Sequence, residues 1–211
     1  MHQQFRVLLA LLLAVALSAS TQAQDQARQP QQQKQKQQQK QQQKQHQQSH
    51  DSAMQVPTDA VAVLIPTQGN KVKGESVLTQ KGDVVHITGK VTNLSPGEHG
   101  FHIHQYGDLR SVDGASAGGH FSPEGHQHGG PDDEQHHAGD LGNITANAEG
   151  VATIDKHSKS LKLHLALGRA VVVHADADDF KSQPSGAAGA RVAVGVIGIA
   201  NVENAEPQGK K

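Results

Sequence analysis

The sequence predicts an all-β protein, an antiparallel sandwich or barrel, on three observations. Short runs rich in β-branched residues recur at roughly ten-residue spacing, turns containing Gly and Asn separate them, and nothing indicates a long helix. The chain has no Trp, one Tyr and four Phe, so its core must consist mostly of Val, Ile, Leu and Ala. Branched side chains of this kind pack well on a pleated surface, which favours the same fold class.

Residues 1–23 have the pattern of a secretory signal peptide. Arg6 precedes the apolar run VLLALLLAVAL (7–17), and small and polar residues follow it. The run is too short for a comfortable transmembrane span. We expect cleavage after Ala23 and a secreted, extracellular mature protein, with an uncleaved anchor as the alternative.

Residues 24–56 form a Gln/Lys-rich arm that we expect to be disordered or transiently helical, because it has almost nothing to bury. Residues 24–50 carry five basic side chains and one acidic one, whereas the chain from residue 51 carries 13 basic and 19 acidic ones. Three roles fit this basic arm. It is a solvated spacer, a tether to polyanions such as acidic glycans or membranes, or a cross-linking substrate, since Gln and Lys supply both partners of an isopeptide bond.

The barrel is expected over residues 57–203, followed by a short polar tail at 204–211. Residues 107–140 interrupt the β-rich runs with many Gly, His and Asp residues, and an irregular insertion of this length in a compact β-domain is usually functional. The sequence KGD (81–83) is typical of a hairpin connection. The predicted strands lie at 60–65, 72–80, 83–94, 101–104, within 142–165, at 170–175 and within 191–202.

The stretch HGFHIHQYGD (99–108) raises the question of a metal site. In a strand, residues two apart face the same way, so His102 and His104 lie side by side while Phe101 and Ile103 turn into the core. Further ligands must come from elsewhere, and GGHFSPEGHQHGGPDDEQHHAGD (118–140) offers them. Zinc and copper favour imidazole with an occasional carboxylate. The residues alone leave open a defined site or an unspecific histidine-rich metal trap.

Six motifs, in this order, carry a resemblance to a known family: GEHGFHIHQYGD, GGHF, HGGPDDE, HAGDLGN, VVVHADADD and GARVAVGVIGIA. Together, from Val61 to Asn201, they resemble the copper,zinc superoxide dismutases. The resemblance implies a Greek-key antiparallel β-barrel (immunoglobulin-like sandwich) with two long functional loops. It also implies conversion of superoxide to dioxygen and hydrogen peroxide by alternating copper(II) and copper(I), with zinc as the structural and electrostatic partner.

The same resemblance assigns residues. His120 bridges the two metals and takes up a proton, and Arg191 attracts the substrate anion. Asp178 accepts hydrogen bonds from ligands of both metals, His102 and His128. The copper ligands implied are His102, His104, His120 and His174, and the zinc ligands His120, His128, His137 and Asp140.

The remaining histidines have no ligand role in this comparison. The neighbours His126 and His136 have no place in the family pattern, and His99 resembles the family's packing histidine. The others are expected to face solvent: His46, His50, His86, His157 and His164.

Two departures from the family matter. The chain has no cysteine, and Ala115 and Val194 stand at the positions of the family's disulfide. A cross-link closing a loop of roughly 80 residues is worth about 4–5 kcal/mol in the chain-entropy model, so we expect the fold to depend on metal. The segment 175–190 is also shorter than usual and lacks the family's pair of glutamates and lysine. Lys181 is its only charged residue between Asp179 and Arg191, which predicts weaker steering of the anion.

Further expectations concern partners. GVIGIA resembles the family's dimer segment and predicts a homodimer; superoxide is the expected substrate, with no nucleic acid and no membrane span. Asn143 begins a glycosylation sequon that is either used or unused. The competing hypothesis is a non-catalytic metal-binding or extracellular matrix protein on the same barrel. Copper delivery is a third hypothesis, but transfer of copper(I) prefers the sulfur ligands that this chain lacks.

Overall fold

The computed structural model describes residues 34, 36–45 and 56–202. The chain divides into a unit at 1–55 and a unit at 56–211. In the first, residues 36–45 are helical and all of their side chains are exposed. The predicted signal peptide, the rest of the arm and the tail at 204–211 lie outside the described residues. Within the described ranges, no helix is long and apolar enough to cross a membrane.

Strands dominate residues 56–202, as the sequence predicts. A 3-10 turn (Ala115–Ala117) and a single-turn helix, α1 (Leu163–Ala166), lie between them. The strands are β1 (Asp59–Pro66), β2 (Lys73–Lys81), β3 (Val84–Thr92), β4 (Gly97–His104), β5 (Asp140–Ala146), β6 (Ala152–Ser158), β7 (Ala170–His174), β8 (Arg191–Val196) and β9 (Gly198–Ile199).

Eight strands close into an antiparallel barrel. Their order around the sheet is β2-β3-β6-β5-β4-β7-β8-β1, and β1 pairs again with β2 to complete the ring, with the short β9 on β1. Strands β4, β5 and β6 are consecutive in sequence and adjacent in the sheet, and β6 pairs with β3. The link from β3 to β4 therefore crosses the end of the barrel, as in a Greek key. The predicted fold class is confirmed.

Local sequence explains the first hairpin. Strands β2 and β3 pair along their whole length, from Lys73↔Thr92 to Lys81↔Val84. The connection is Gly82-Asp83, and Gly82 has φ +58°. A residue with a side chain rarely adopts this left-handed conformation, so glycine suits the two-residue turn. The KGD prediction is therefore confirmed.

Alternation along β4 separates the core from the functional side chains. Phe101 and Ile103 are fully buried in the main hydrophobic core, whereas His102 and His104 point to the opposite face. Strand β7 is buried on both faces along its whole length. The barrel therefore fills one side of β4 and β7 with aliphatic side chains and leaves their other side for the loops.

A second apolar cluster attaches the loop after β4 to the barrel wall. It consists of Ala117, Ala170, Val172 and Val194, with Leu109 packed against it. Val194 is the residue that resembles one half of the family's disulfide, and here it is a buried core residue. Ala115, the other residue that the resemblance assigns to the disulfide, is exposed and is not part of this cluster.

Candidate metal centre

The first group of potential ligands is made of four buried imidazoles, from His102, His104, His120 and His174, whose ring nitrogens lie within 4.8 Å of one another. Two come from the end of β4 and one from the end of β7, which pairs with β4. The Nε2 atoms of His104 and His174 are 3.2 Å apart. The two strands are antiparallel, with His104 opposite Ala170, so the His104 and His174 side chains must reach toward each other along the strand pair to bring residues 70 positions apart in sequence into contact.

Main-chain hydrogen bonds bring His120 to this group. His120 forms an isolated antiparallel bridge with His104. The amide of Phe121 donates to the carbonyl of Ile103 (2.8 Å), and the amide of Ile103 donates to the carbonyl of Gly139 (2.9 Å). The long insertion is therefore fastened at both ends of its histidine-rich stretch to the last residues of β4.

The second group gathers around one carboxylate. Asp140 begins β5 and is buried with His120, His128 and His137, all within 4.8 Å of one another. Its Oδ1 lies 2.7 Å from His120 Nδ1 and 3.1 Å from His137 Nδ1. Its Oδ2 accepts from the amides of Gly129 (3.2 Å) and His137 (2.9 Å). These two bonds fix the carboxylate so that Oδ1 faces the imidazoles.

His120 belongs to both groups. Its Nδ1 faces Asp140, and its Nε2 is buried and has no hydrogen-bond partner. Two more buried nitrogens lack a hydrogen-bond partner, His102 Nδ1 and His128 Nδ1. The last lies 3.1 Å from Asp140 Oδ1, but not in the direction of a hydrogen bond.

These unpartnered nitrogens test whether the groups fit metal ions. A buried polar atom without a partner costs about 1–3 kcal/mol, so three of them in one place indicate bound cations. The all-nitrogen group has the donor set that suits copper. The group of three imidazoles and one carboxylate matches a closed zinc site. The residues present therefore fit both metals.

Asp178 accepts a hydrogen bond from one imidazole of each ligand group. His102 Nε2 donates to its Oδ2 (2.8 Å) and His128 Nε2 donates to its Oδ1 (2.9 Å). Each of these rings therefore carries its proton on Nε2 and presents Nδ1 to the side where the ligands meet. This is the contact that the sequence predicts for Asp178.

Asn143 on β5 holds the Asp178 segment in place. Its side-chain amide donates to the carbonyl of Asp178 (2.9 Å), and its side-chain oxygen accepts from the Asp178 amide (2.7 Å). A side chain engaged on both ends is a poor glycosylation acceptor, which favours the unused sequon. The sequence marked Asn143 only as a sequon and missed this positioning role.

Gly186 was also missed. It has φ +64°, and an added Cβ would overlap the Asp178 carboxylate and come within 2.6 Å of His128 Nε2. Only glycine lets the chain pass this close to the Asp178–His128 pair. The single sequence signal was its place in the Gly-rich stretch SGAAGA.

Gln183 fastens the 175–190 segment to the histidine-rich insertion. Its side-chain oxygen accepts from the amide of His128 (3.0 Å), and its NH2 group donates to the carbonyl of the same residue (2.9 Å). The sequence offered no signal for this role. The 175–190 segment is therefore in direct contact with His128 of the second group.

Burial and nearby charges shift the pKa values of these imidazoles in different directions. Burial lowers the pKa of His102 to about 4 and that of His174 to about 3, and it lowers the pKa of His104 well below 6.5. Burial also disfavours the charged form of His128, but the nearby carboxylates of Asp140 and Asp178 outweigh this and raise its pKa to about 9. Three imidazoles of the first group are thus neutral at pH 7, whereas His128 binds a proton when no metal is present.

Arg191 lies at the start of β8, half-buried beside the first group. Its guanidinium donates to the carbonyl of Gly114 and to that of Gly118 (2.6 Å). His104 Nδ1 donates to the same Gly118 carbonyl (2.8 Å). Burial lowers the pKa of Arg191, although a guanidinium stays charged at any useful pH. The arrangement holds a fixed positive charge next to the four imidazoles.

The other histidines lie outside both groups. His99 is buried, and its ring nitrogens contact the carbonyl oxygens of Ser95 and His174, each at 2.9 Å, as expected of a packing residue. His157 and His164 are exposed. The prediction of a solvent-facing His86 was only partly right, because it is half-buried against its cross-strand partner His157. His46 and His50 lie outside the described residues.

An antiparallel barrel with an all-imidazole group and an imidazole–carboxylate group sharing one histidine defines a metalloprotein with two adjoining metal sites. Comparison with known proteins gives the family. The family profile of copper/zinc superoxide dismutase (SODC) matches residues 72–197. The chain belongs to this family of oxidoreductases, whose cofactors are copper and zinc.

Individual relatives support the assignment. The chain is 45% identical over 156 residues to superoxide dismutase [Cu-Zn] 3 of Arabidopsis thaliana, covering 69% of this chain and 94% of that one. It is 46% identical over 149 residues to superoxide dismutase [Cu-Zn] 2 of Mesembryanthemum crystallinum, covering 65% and 94%. The crystal structure of the clock protein EA4 is similar at 41% identity and a TM-score of 0.64, covering 70% of this chain and 98% of that one.

Proposed function

We propose that the protein is a secreted copper,zinc superoxide dismutase in which His102, His104, His120 and His174 hold copper and His120, His128, His137 and Asp140 hold zinc. The observation that carries the proposal is His120, which belongs to both ligand groups, with Nδ1 held at Asp140 and Nε2 buried without a hydrogen-bond partner. A scaffold that only stores metal needs neither a shared ring nor Arg191 beside one of the groups. The non-catalytic hypothesis explains neither feature.

The net reaction turns two superoxide anions and two protons into dioxygen and hydrogen peroxide. Bound copper supplies the one-electron chemistry by alternating between the +2 and +1 states, while zinc is redox-inert. The chain supplies the rest. Arg191 attracts a small anion and can hydrogen-bond to it, and the main-chain carbonyls of Gly114 and Gly118 hold its guanidinium in place.

His120 is the proton carrier in this proposal. Its Nδ1 is held on the Asp140 side at 2.7 Å, so the ring keeps its position when Nε2 changes partner. Nε2, which is buried and has no hydrogen-bond partner, takes up a proton and gives it to the reduced dioxygen species. Solvent supplies the second proton.

Steering of the anion is proposed to be weaker than in relatives with a full-length loop. Between Asp179 and Arg191, Lys181 is the only charged residue. Attraction by an extended positive field raises association rates and falls with ionic strength. We therefore expect a reduced association rate with a shallow salt dependence, and a steep salt dependence of kcat/KM would contradict this.

The protein is also proposed to be a homodimer. Val63 and Ile65 on β1, Val196 on β8 and Ile199 on β9 are large apolar side chains that are exposed, and these strands are neighbours in the sheet. Contiguous exposed apolar residues on neighbouring strands indicate a protein–protein interface. Light scattering on the loaded protein tests this, with Ile199→Asp expected to give monomers and a dimer unaffected by that change contradicting the assigned face.

The decisive experiment measures dismutation of superoxide by the purified protein loaded with copper and zinc. His104→Ala removes one ligand of the all-imidazole group, and we expect loss of activity to near background. His164→Ala, an exposed histidine on α1, is the matched control and keeps full activity. A loaded protein without activity would support the non-catalytic alternative. Sequencing the N-terminus of the exported protein tests secretion, with a start at Gln24 expected.

A further inference from the structure

Arg169, which lies between α1 and β7, makes contacts that the proposed function does not use. Its side chain is half-buried, with the guanidinium carbon 3.7 Å from the centroid of the Phe121 ring. Its Nε donates to the carbonyl of Leu165 (2.6 Å), and a terminal nitrogen donates to the carbonyl of Gln105 (2.6 Å). A guanidinium is planar and permanently charged, so its face can stack on a ring while its edge donates hydrogen bonds. Arg169 therefore joins three separate stretches of chain: α1, the residue after β4, and the histidine-rich insertion.

Two of these contacts lie beside potential metal ligands. Gln105 directly follows His104, and Phe121 directly follows His120. His104 and His120 form an antiparallel bridge, which the main-chain amides of Gln105 and Phe121 close on its two sides, at 2.9 and 2.8 Å from the carbonyl oxygens opposite. In an antiparallel pair with its hydrogen bonds on either side, the two side chains lie close together. Arg169 thus contacts the neighbour of each histidine in the pair.

The packing around Arg169 holds these contacts in place. Phe121 is 4% exposed and belongs to the main hydrophobic core, so its ring cannot leave the guanidinium without opening that core. The loop after β4 passes close to the turn before Arg169, because a Cβ added to Gly107 would lie 2.4 Å from the carbonyl oxygen of Gly168. The main chain of Arg169 is also fixed, since its carbonyl accepts from the amide of Ile197 (2.8 Å). The guanidinium is therefore anchored from both sides.

We propose that Arg169 is a positioning residue that keeps His104 and His120 in register, and with them the imidazole shared by the two ligand groups. The inference rests on the proposed function, in which both histidines hold copper. By donating to Gln105 and covering the ring of Phe121, Arg169 fixes the two residues whose amides close the pair. Without it, the Gln105 carbonyl and one face of the Phe121 ring turn to solvent, and the two amides open more often. The shared imidazole then spends part of its time away from the first group.

Amide hydrogen exchange in Arg169→Leu, loaded with zinc and with copper(I), which is diamagnetic, tests this proposal. We expect exchange of the Gln105 and Phe121 amides to accelerate at least tenfold more than that of the paired amides of β3 and β6. A general loss of stability would accelerate all of them together, whereas local opening affects only the contacts that were lost. The matched control is Arg110→Leu, which removes an exposed guanidinium paired with Asp108 on the loop after β4 and leaves both amides protected. Equal acceleration at β3 and β6, unchanged exchange of the two amides, or the same effect in the control would each overturn the proposal.

Competition with a chelator for copper(II) gives a second readout. We expect at least tenfold weaker copper binding in Arg169→Leu and a smaller loss in Arg169→Lys, because lysine keeps a positive charge but lacks the planar fork that donates to two carbonyls. Copper affinity of Arg169→Leu within twofold of the unaltered protein would overturn the proposal. If the leucine variant does not fold, the exchange comparison in Arg169→Lys decides, with faster exchange confined to Gln105 and Phe121 as the supporting result and equal acceleration throughout the barrel as the opposing one. Neither readout uses dismutation, so a loaded protein without activity would refute the proposed function and leave this inference to its own test.

Discussion

Replacing Asp178 by Asn tests how the two metal groups are held. The carboxylate is completely buried and accepts from His102 Nε2 and His128 Nε2 at 2.8 and 2.9 Å. An amide of the same shape has one oxygen and one NH2 group, so one imidazole N–H would face another donor. That ring must then move its proton to Nδ1, the atom that faces the ligand group.

Two independent estimates give the size of the effect. A hydrogen bond to a charged partner is worth about 1.5–3 kcal/mol. Loss of a group that orients a metal-bound histidine lowers metal affinity by about 10–100-fold, which corresponds to about 1.4–2.8 kcal/mol. Since the two agree, we expect Asp178→Asn to weaken zinc binding about 10–100-fold, with a similar or smaller effect on copper.

The assay is competition with a chromophoric chelator, with Asp176→Asn as the matched control. Asp176 lies on the same loop and its carboxylate is exposed. Nitrogen NMR of the histidines adds a readout that a general loss of stability would not give. The pKa of His128 in the unaltered metal-free protein is raised to about 9, in part by Asp178, so in the metal-free variant it should be lower. Metal affinities within twofold of the unaltered protein, with unchanged tautomers, would refute the assigned role.

Three further predictions concern metal, pH and packing. Removing both metals should lower Tm by about 10 °C or more. A ligand present at 1,000 times its Kd stabilises the folded state by about 4.1 kcal/mol, and each kcal/mol shifts the Tm of a domain of this size by about 2–4 °C. Equal Tm values with and without chelator would contradict this prediction. Below pH 9 zinc must displace the proton of His128. Because the pKa of His128 is raised to about 9 in the metal-free fold, protonation of this ring stabilises that fold at lower pH and no longer does so above about pH 9. Chelator competition should therefore show zinc affinity rising up to pH 9, and a flat profile between pH 7 and 9 argues against the His128 assignment. Gly186→Ala should reduce zinc affinity at least tenfold, because the added Cβ displaces Asp178. Gly69→Ala controls for backbone strain, since Gly69 has a similar φ of +81° and nothing near its added Cβ. Equal zinc affinities in the two variants would count against the role assigned to Gly186.

Part of this site follows from local rules. The period of two along a strand is enough to place His102 and His104 together and to bury Phe101 and Ile103 behind them. The residue types of the insertion are enough to indicate copper or zinc. Local sequence likewise specifies the hairpin at Gly82, because a two-residue connection needs a left-handed backbone that glycine adopts without strain.

Local rules do not determine which histidine of each neighbouring pair becomes a potential ligand. In HQH and HH, the residues by themselves do not say whether His126 or His128, or His136 or His137, turns inward. Resemblance to the family favours His128 and His137, and the structure places those two beside Asp140 and the other two in a partly exposed cleft. The outcome depends on where the insertion is fastened to β4 and β5, and such contacts between distant segments leave no period in the sequence.

The sequence by itself determined the barrel, the pair of imidazoles on β4 and the chemical nature of the ligands, because these depend on side-chain alternation and donor type. Only the tertiary structure decided that Asn143 holds the Asp178 segment, that Gln183 ties the 175–190 segment to His128, and that Val194 packs in a small apolar cluster with the loop after β4. Each of these depends on two distant stretches of chain meeting at a fixed distance. Closure of the barrel sets that distance, and no single stretch of sequence encodes it.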